Sequence, residues 1–326
     1  MEKIIIYGMG KHFETIMIQS TYLSNKMKKY EIVGFIDKNK HGEVFTFYGK
    51  EYMVMSLEEW TDFSVDKVVV TSKKYVDEIV KQLSEHGFRQ EQICLLDEMV
   101  EPFINSLMRI DLMKGKAGLE VGGPSNVFSN IYKVCGSCDG VNFCAETVWW
   151  KNAENGKYMY EKRNLGKVYI ADATDLSDII SETYDFVLSS NNLEHIANPM
   201  KALREFYRVA KKDGILIVVV PSKTVTFDHN RQFTAFEHLL EDYQKDTKED
   251  DLTHLPEILE KHDYDMDPEC GGRESFLQRA EKNYENRCLH HHVFCEESLI
   301  KLFEYFEIEV LETEELYGNY WIVGKK

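Results

Sequence analysis

The chain has 326 residues, of which 43% are hydrophobic and 29% charged, a balance that supports a buried core and excludes a disordered chain. Its length favours two domains. With 39 basic against 56 acidic residues, the formal net charge of −17 disfavours a general binder of nucleic acid or anionic membranes. No apolar run approaches the roughly 18 residues of a membrane span. The seven scattered cysteines are typical of reduced thiols, so we expect a cytoplasmic protein.

The first hundred residues alternate short apolar runs with segments of helical spacing. The runs at residues 3–7, 31–36, 65–71 and 93–96 predict strands, and residues 13–22 and 75–86 predict helices. A continuous β-branched run such as DKVVVTS is typical of a buried parallel strand. Residues 1–100 are therefore predicted to form a small Rossmann-like domain with a doubly wound sheet.

A second α/β series begins after a predicted connecting helix at residues 99–116. Strands are predicted at residues 118–121, 139–143, 167–171, 184–189 and 215–220. A helix is predicted after Asn198, a good N-cap, because Pro199 then takes the first helical position. Residues 307–313 and 319–324 predict a terminal antiparallel hairpin. We therefore expect an α/β chain of two doubly wound Rossmann-like domains, residues 1–100 and 101–326, the second with this hairpin and a helical acidic insert.

The most informative segment is GLEVGGPSN, at residues 118–126. A strand that carries an acidic residue, Glu120, and breaks into Gly122 and Gly123 exposes backbone N–H groups at the carboxyl edge of a sheet. Further polar residues follow later strands: Asp172 after the third, and Asn191 with its neighbour after the fourth. Their order along the chain predicts one ligand site at this edge.

These ordered motifs resemble the class I S-adenosylmethionine-dependent methyltransferases over roughly residues 117–326. The resemblance implies that Glu120 orients the methionyl amino group and that Asp172 meets the adenine amino group. The remaining residues that the resemblance places at the cofactor are Gly122, Gly123, Ser125, Asn142, Ala173, Asn191 and Asn192. It also implies that S-adenosylmethionine is the methyl donor.

The glycine turn departs from the broad family pattern in two ways. Pro124 occupies the usual third glycine position, so the GGPS turn resembles a bacterial subgroup. Asn142 stands where an acidic residue usually binds the ribose, and it can hydrogen-bond a hydroxyl only as a neutral partner. Glu146 is the alternative for that contact. A hydride-transferring Rossmann enzyme is disfavoured because the turn lacks the G-x-G-x-x-G spacing.

Transfer of a methyl group to a hydroxyl requires a base, and histidine is suited to this near neutral pH. Our first candidate is His229 in TFDHNR, with Asp228 to orient it and Arg231 to hold an anionic acceptor. His195, just after the fourth strand, is second, although it could instead cap the following helix. In the histidine triplet, His290 and His292 share one face of an extended segment and are predicted to contact the substrate.

No metal ligands are assigned, although a site built from Asp228, His229 and the triplet remains an alternative. Cys135 and Cys138 have zinc-knuckle spacing but no second pair, so a turn with two thiols is the simpler interpretation. Core packing is favoured over ligand stacking for Trp149-Trp150 and for the Tyr158–Tyr160 segment. The acidic segment 237–251 is either a solvated helical face or a lid over the acceptor.

The first domain has its own glycine turn, Gly8-Met9-Gly10, and Asp37 at the end of its second strand. Phe13 replaces the third glycine of the dinucleotide fingerprint. This region resembles the nucleotide-binding domains attached to bacterial sugar-modifying enzymes, which implies either nucleotide or sugar-nucleotide binding or a docking role. The favoured function is O-methylation of a sugar or sugar-linked group in bacterial surface glycan biosynthesis. A small non-sugar acceptor and a non-catalytic nucleotide-binding scaffold remain alternatives, and homo-oligomerisation is left open.

Overall fold

The computed structural model of the protein describes residues 1–146 and 156–326. It divides into two compact units, Met1–Ser106 and Leu107–Lys326, which we call the N-terminal and C-terminal units. The predicted boundary at residue 100 falls inside the helix Leu96–Leu107. The prediction for Trp149-Trp150 lies outside the described residues. Within the described ranges, no helix combines the length and apolar character that a membrane crossing requires.

The N-terminal unit is built on a six-stranded sheet with the order β3-β4-β2-β1-β5-β6. Its strands are β1 (Glu2–Tyr7), β2 (Tyr30–Ile36), β3 (Val44–Phe47), β4 (Lys50–Met55), β5 (Lys67–Val70) and β6 (Ile93–Leu95). Its helices are α1 (Lys11–Phe13), α2 (Thr21–Met27), α3 (Val76–His86) and α4 (Leu96–Leu107). All strand pairs are parallel except β3 with β4. The predicted doubly wound α/β class of this region is confirmed.

Two details of the N-terminal unit differ from the predicted elements. The helix expected over residues 13–22 is instead a π-helix, Glu14–Gln19, followed by a break at Ser20. The Ser20 hydroxyl accepts a hydrogen bond from Leu23 N at 3.2 Å and so caps α2. The hairpin of β3 and β4 was not predicted, because the exposed pattern of its residues offers little apolar alternation.

The C-terminal unit contains an eight-stranded sheet with the order β13-β14-β12-β11-β7-β8-β10-β9. Its strands are β7 (Ala117–Val121), β8 (Ser137–Asn142), β9 (Lys157–Tyr160), β10 (Arg163–Ile170), β11 (Tyr184–Ser190), β12 (Ala210–Pro221), β13 (Glu309–Leu316) and β14 (Asn319–Lys325). The central strands pair in parallel, while β14 is antiparallel to both β12 and β13. The predicted terminal hairpin is therefore present. An additional strand, β9, pairs antiparallel with β10 at the opposite edge.

The helices of the C-terminal unit are α5 (Ile110–Met113), α6 (Ser129–Val134), α7 (Pro199–Val209), α8 (Phe236–Lys245), α9 (Leu255–Lys261), α10 (Gly272–Ala280), α11 (Asn283–Asn286) and α12 (Glu296–Tyr305). The cap of α7 is as expected, since Asn198 Oδ1 accepts from Lys201 N at 3.0 Å. Its apolar face, including Met200, Leu203 and Phe206, is buried in the main core. Helices α8–α11 form the insert between β12 and α12.

Candidate functional site

A cavity of about 690 Å³ lies at the carboxyl ends of the parallel strands in the C-terminal unit. This is a volume typical of sites for small molecules and cofactors. Nine predicted residues line it: Gly122, Gly123, Asn142, Asp172, Ala173, Asn191, Asn192, His195 and His290. Six others lie outside its lining: Glu120, Ser125, Asp228, His229, Arg231 and His292. The structure therefore brings together most of the predicted cofactor residues and separates the predicted acceptor residues.

The glycine turn after β7 is shaped by close packing on both sides. Gly122 has φ of +89°, and a Cβ at this position would lie 2.6 Å from the Asn192 side chain. Asn142 Nδ2 donates a hydrogen bond to Gly123 O at 3.2 Å, so the side chain expected at the ribose also supports the turn. The alternative ribose residue, Glu146, is exposed and does not line the cavity. The backbone of this turn is thus presented to the cavity in a defined conformation.

Glu120 lies beneath the turn and is completely buried. Its carboxylate accepts hydrogen bonds from the hydroxyls of Tyr132 and Tyr158 and from Ser125 N. Burial raises the pKa of Glu120 against the opposing effect of these hydrogen bonds. The side chain is therefore placed to support the Gly122–Ser125 turn from below. Tyr158 is fully buried, as the prediction of core packing for its segment requires, whereas its neighbours Met159 and Tyr160 line the cavity.

Asp172, at the end of β10, is held by its own loop and by the insert. Its Oδ1 accepts from Thr174 N at 2.9 Å, and its Oδ2 accepts from Arg287 Nη2 at 3.0 Å. Arg287 Nη1 lies 2.9 Å from Glu249 Oε2, and both residues line the cavity. Arg287 and Glu249 belong to the insert, and no sequence motif identified them as residues of the site. The insert therefore contributes directly to the wall of the cavity.

His195 occupies the end of the cavity that follows β11. Its Nδ1 lies 3.1 Å from Leu289 O, so this nitrogen carries the proton and donates it to the carbonyl. Burial, together with the nearby charge of His290, lowers the pKa of His195 well below its ordinary value. The neutral ring therefore has its lone pair on Nε2. Its ring packs edge-on against that of His290, with the centroids 4.5 Å apart.

His290 forms a hydrogen-bonded pair with Asp228, which lies 62 residues earlier in the chain. His290 Nδ1 donates to Asp228 Oδ2 at 2.5 Å, and Asp228 Oδ1 accepts from Arg231 Nη1 at 2.9 Å. Although burial alone would raise the pKa of Asp228, the charge and hydrogen bond of His290 lower it to about 2. Burial would likewise lower the pKa of His290, but Asp228 raises it overall. Asp228 therefore orients His290 rather than His229.

The two other predicted acceptor residues in TFDHNR also have protein partners. His229 Nε2 lies 2.7 Å from Asp263 Oδ2, and its side chain is 36% exposed. Arg231 is 2% exposed and donates to His290 O at 2.8 Å and to His291 O at 3.0 Å. The histidine predicted first as the base thus does not line the cavity. The guanidinium expected to bind an anionic acceptor instead fixes the backbone that carries His290.

The histidine triplet does not place His290 and His292 in one site. His290 lines the cavity, whereas His292 is 1% exposed and donates from Nε2 to Ala197 O at 3.1 Å. Between them, His291 Nε2 accepts from Asn283 Nδ2 at 3.0 Å. Burial lowers the pKa of His291 to about 4. The three histidine rings therefore lie in three different environments.

Glu194 is a cavity residue that sequence patterns did not reveal. It is 2% exposed, and its Oε2 atom has no hydrogen-bond partner in the part of the chain that the structure describes. Burial raises the pKa of Glu194 to about 7. A carboxyl group with such a pKa is typical of functional sites. Its position between Leu193 and His195 gives no signal in the sequence, because a single glutamate after a strand is common.

Two protein families match separate parts of the chain. Residues 1–94 match the family described as C2185-like, N-terminal. Residues 119–218 match the family described as Methyltransferase domain, a range that contains all the cavity residues at the ends of β7, β8, β10 and β11. The insert, with Asp228 and His290, lies beyond that match. No curated protein matches the chain.

Solved structures with a similar fold include three methyltransferases that depend on S-adenosylmethionine. The protein from Aquifex aeolicus is 16% identical with a TM-score of 0.37, covering 70% of this chain and 95% of its own. The protein from Mesorhizobium loti is 9% identical with a TM-score of 0.42, covering 70% and 97%. The protein from Methanosarcina mazei is 16% identical with a TM-score of 0.40, covering 69% and 97%.

The residues that match the Methyltransferase domain family supply most of the lining of the strand-end cavity. The predicted turn and the strand-end side chains occur within this matched range in the expected order, and the predicted terminal hairpin follows beyond it. The chain is therefore an enzyme with a methyltransferase domain, and S-adenosylmethionine is its methyl donor.

Proposed function

We propose that this enzyme O-methylates a sugar or sugar-linked group in bacterial surface glycan biosynthesis, in the cytoplasm. The observation that carries the O-methylation is the group of His195, His290 and Asp228 at one end of the strand-end cavity. The sugar class of the acceptor depends on the resemblance of residues 1–100 to domains of sugar-modifying enzymes and on the GGPS turn. In this proposal the N-terminal unit binds a nucleotide or sugar nucleotide, or serves as a docking module.

The donor is proposed to lie along the strand ends. The backbone of Gly122 and Gly123 would contact its methionyl part, with Asn191 and Asn192 on either side. Asp172 would accept from the adenine amino group while it retains its bond to Arg287. Asn142 would contact the ribose. Glu120 acts here as a positioning residue, because its carboxylate holds the turn through Ser125 N and two tyrosine hydroxyls.

His195 is the proposed base. Since its Nδ1–H is committed to Leu289 O, its Nε2 atom can accept a proton. The acceptor oxygen forms a bond to the methyl carbon as the carbon–sulfur bond breaks. The electron pair of that bond stays on sulfur, and the hydroxyl proton passes to His195 Nε2. His290, held by Asp228, would orient the acceptor hydroxyl beside this ring.

The acceptor class can be tested with the purified full-length protein. Methyl transfer from S-adenosylmethionine would be measured with nucleotide sugars, free sugars and hydroxylated non-sugar metabolites as separate panels. We expect turnover with the sugar panels only. Turnover with the non-sugar panel alone would overturn the sugar acceptor and indicate that the enzyme methylates a small non-sugar metabolite. Binding of S-adenosylhomocysteine without turnover in any panel would favour a non-catalytic scaffold.

A further inference from the structure

Three histidines and an aspartate meet within the insert and beside it: His238, Asp242, His254 and His292. Each offers one ligand atom, and the four atoms lie within 4.8 Å of one another. None of the four residues lines the strand-end cavity. His238 and Asp242 are four residues apart on α8, which places both side chains on one face of that helix. His254 comes directly before α9, and His292 precedes α12.

The distances among these atoms fit one tetrahedral ion. Zinc bonds of about 2.0–2.1 Å to nitrogen or oxygen place neighbouring ligand atoms about 3.3 Å apart. His238 Nε2 lies 2.9 Å from His254 Nε2 and 3.2 Å from Asp242 Oδ2. Both separations are slightly shorter than this value, so small movements of the side chains would make room for an ion.

A second observation points to a ligand at this cluster. Asp242 is 7% exposed, and among the described residues its Oδ2 atom has no hydrogen-bond partner. Its other oxygen, Oδ1, accepts from Thr247 Oγ1 at 3.0 Å, which orients the carboxylate. A buried carboxylate oxygen without a hydrogen bond is costly unless a cation neutralises it, and a metal ion between this oxygen and His238 Nε2, 3.2 Å away, would supply that charge.

His292 presents a similar case. Because its Nε2–H donates to Ala197 O, the lone pair of the ring is on Nδ1. That atom is buried and also has no hydrogen-bond partner in the described part of the chain. A ligating histidine commonly donates its second nitrogen to a backbone carbonyl in this way.

We infer that His238, Asp242, His254 and His292 bind a divalent transition-metal ion, with Zn²⁺ the best fit to the donor set. Imidazole and carboxylate ligands in a tetrahedral arrangement suit zinc, and four protein ligands without an open position are typical of a structural site. The ion joins α8, the start of α9 and the segment before α12. Since that segment also carries His290, the metal fixes the insert beside the cavity without taking part in methyl transfer.

Metal content provides the direct test, with the full-length protein and its variants dialysed against metal-free buffer. We expect about one zinc per chain in the wild type by mass spectrometry, and loss of most of it in His254→Gln and Asp242→Asn. His229→Gln is the matched control, because its pair with Asp263 lies outside the cluster, and it should keep the metal. Retention of zinc by both cluster variants would overturn the assignment, as would its loss in His290→Gln but not in His254→Gln.

A second measurement does not depend on whether the variants fold. Wild-type protein would be stripped with a chelator and then titrated with Co²⁺ or Zn²⁺ alone. We expect one equivalent of Co²⁺ to produce the strong visible absorption of a tetrahedral site, and Zn²⁺ to displace it and raise the melting temperature by several degrees. Stripped protein that neither binds one equivalent nor gains thermal stability would refute the site. Methyl transfer is not the readout, so failure of the proposed function would be seen separately.

Discussion

Asp228 and His229 are neighbours in the chain, yet each belongs to a different histidine–aspartate pair. The pair of Asp228 with His290 has side chains 4% and 10% exposed, and His290 lines the cavity. The pair of His229 with Asp263 has side chains 36% and 27% exposed and does not reach the cavity. The two pairs have nearly equal hydrogen-bond lengths, so the difference in burial, and not the contact itself, separates the pair at the cavity from the pair at the surface.

The largest effect is expected at His195, the proposed base, which lies beside the buried pair. His195→Gln should lower the rate of methyl transfer about 10²–10⁴-fold, because the acceptor proton then has no suitable acceptor. Its affinity for S-adenosylhomocysteine, measured by calorimetry, should barely change. His229→Gln is the control on the surface pair and should keep near-normal turnover. Similar losses in both variants would remove the distinction between the two pairs.

Loss of one carboxylate should affect stability unequally in the two pairs. Asp228→Asn leaves His290 and the buried Arg231 guanidinium without their anion, so we expect a loss of roughly 2–3 kcal/mol in unfolding free energy near pH 6. Asp263→Asn, on the exposed pair, should cost far less. Denaturant unfolding of both variants beside the wild type measures the difference. Equal losses would show that burial does not set the strength of these pairs.

The effect of Asp228 should also depend on pH. Its folded pKa of about 2 lies below the ordinary value of 3.8, so its contribution is present above pH 3.8 and is lost as pH falls towards 2. A shift of this size corresponds to about 2 kcal/mol. The stability gap between wild type and Asp228→Asn should therefore narrow from pH 5 to pH 3. A gap that stays constant over this range would contradict the depressed pKa.

A third pair, of Asp172 with Arg287, sharpens the comparison because it lines the cavity but is more open, with Asp172 33% exposed. We expect Asp172→Asn to weaken S-adenosylhomocysteine binding by about 1 kcal/mol, roughly fivefold, through the adenine contact. Calorimetry would measure this, with Asp263→Asn as the matched aspartate control. Unchanged affinity in Asp172→Asn would remove this residue from the proposed donor site.

The residues proposed to bind the cofactor could be predicted from the sequence because their signals are local. Gly122, Asn142, Asp172 and Asn191 each end or follow an apolar run, and parallel strands bring their carboxyl ends to one edge. The acceptor side was not accessible in this way. Asp228 and His290 meet across 62 residues of insert, and nothing in a polar helical segment specifies how it folds back. The prediction of His229 as the base rests on its position after the fifth strand and between Asp228 and Arg231, whereas Asp228 and His229 bind different partners in the fold.

Two further features that the sequence did not predict, the partners of Glu120 and the strand β9, also have local causes. Tyr132 and Tyr158 surround Glu120 because their hydroxyls can reach a buried carboxylate, a match of donor and acceptor that composition does not reveal. The strand β9 that carries Tyr158 is short and pairs only at the sheet edge. Such an edge strand has a weak hydrophobic pattern in the sequence, because it is paired along only one side.

The packing beneath the glycine turn limits which residues can occur together at positions 120, 123 and 158 of any related or redesigned sequence. A Cβ on Gly123 would lie 2.2 Å from both Glu120 Cδ and the Tyr158 hydroxyl. A larger residue at position 123 therefore requires a smaller one at position 120 or 158 in the same chain. Natural variation at these sites should be correlated, and a library that randomises Gly123 alone should return almost only glycine. Randomising Gly123 and Tyr158 together should recover alternatives.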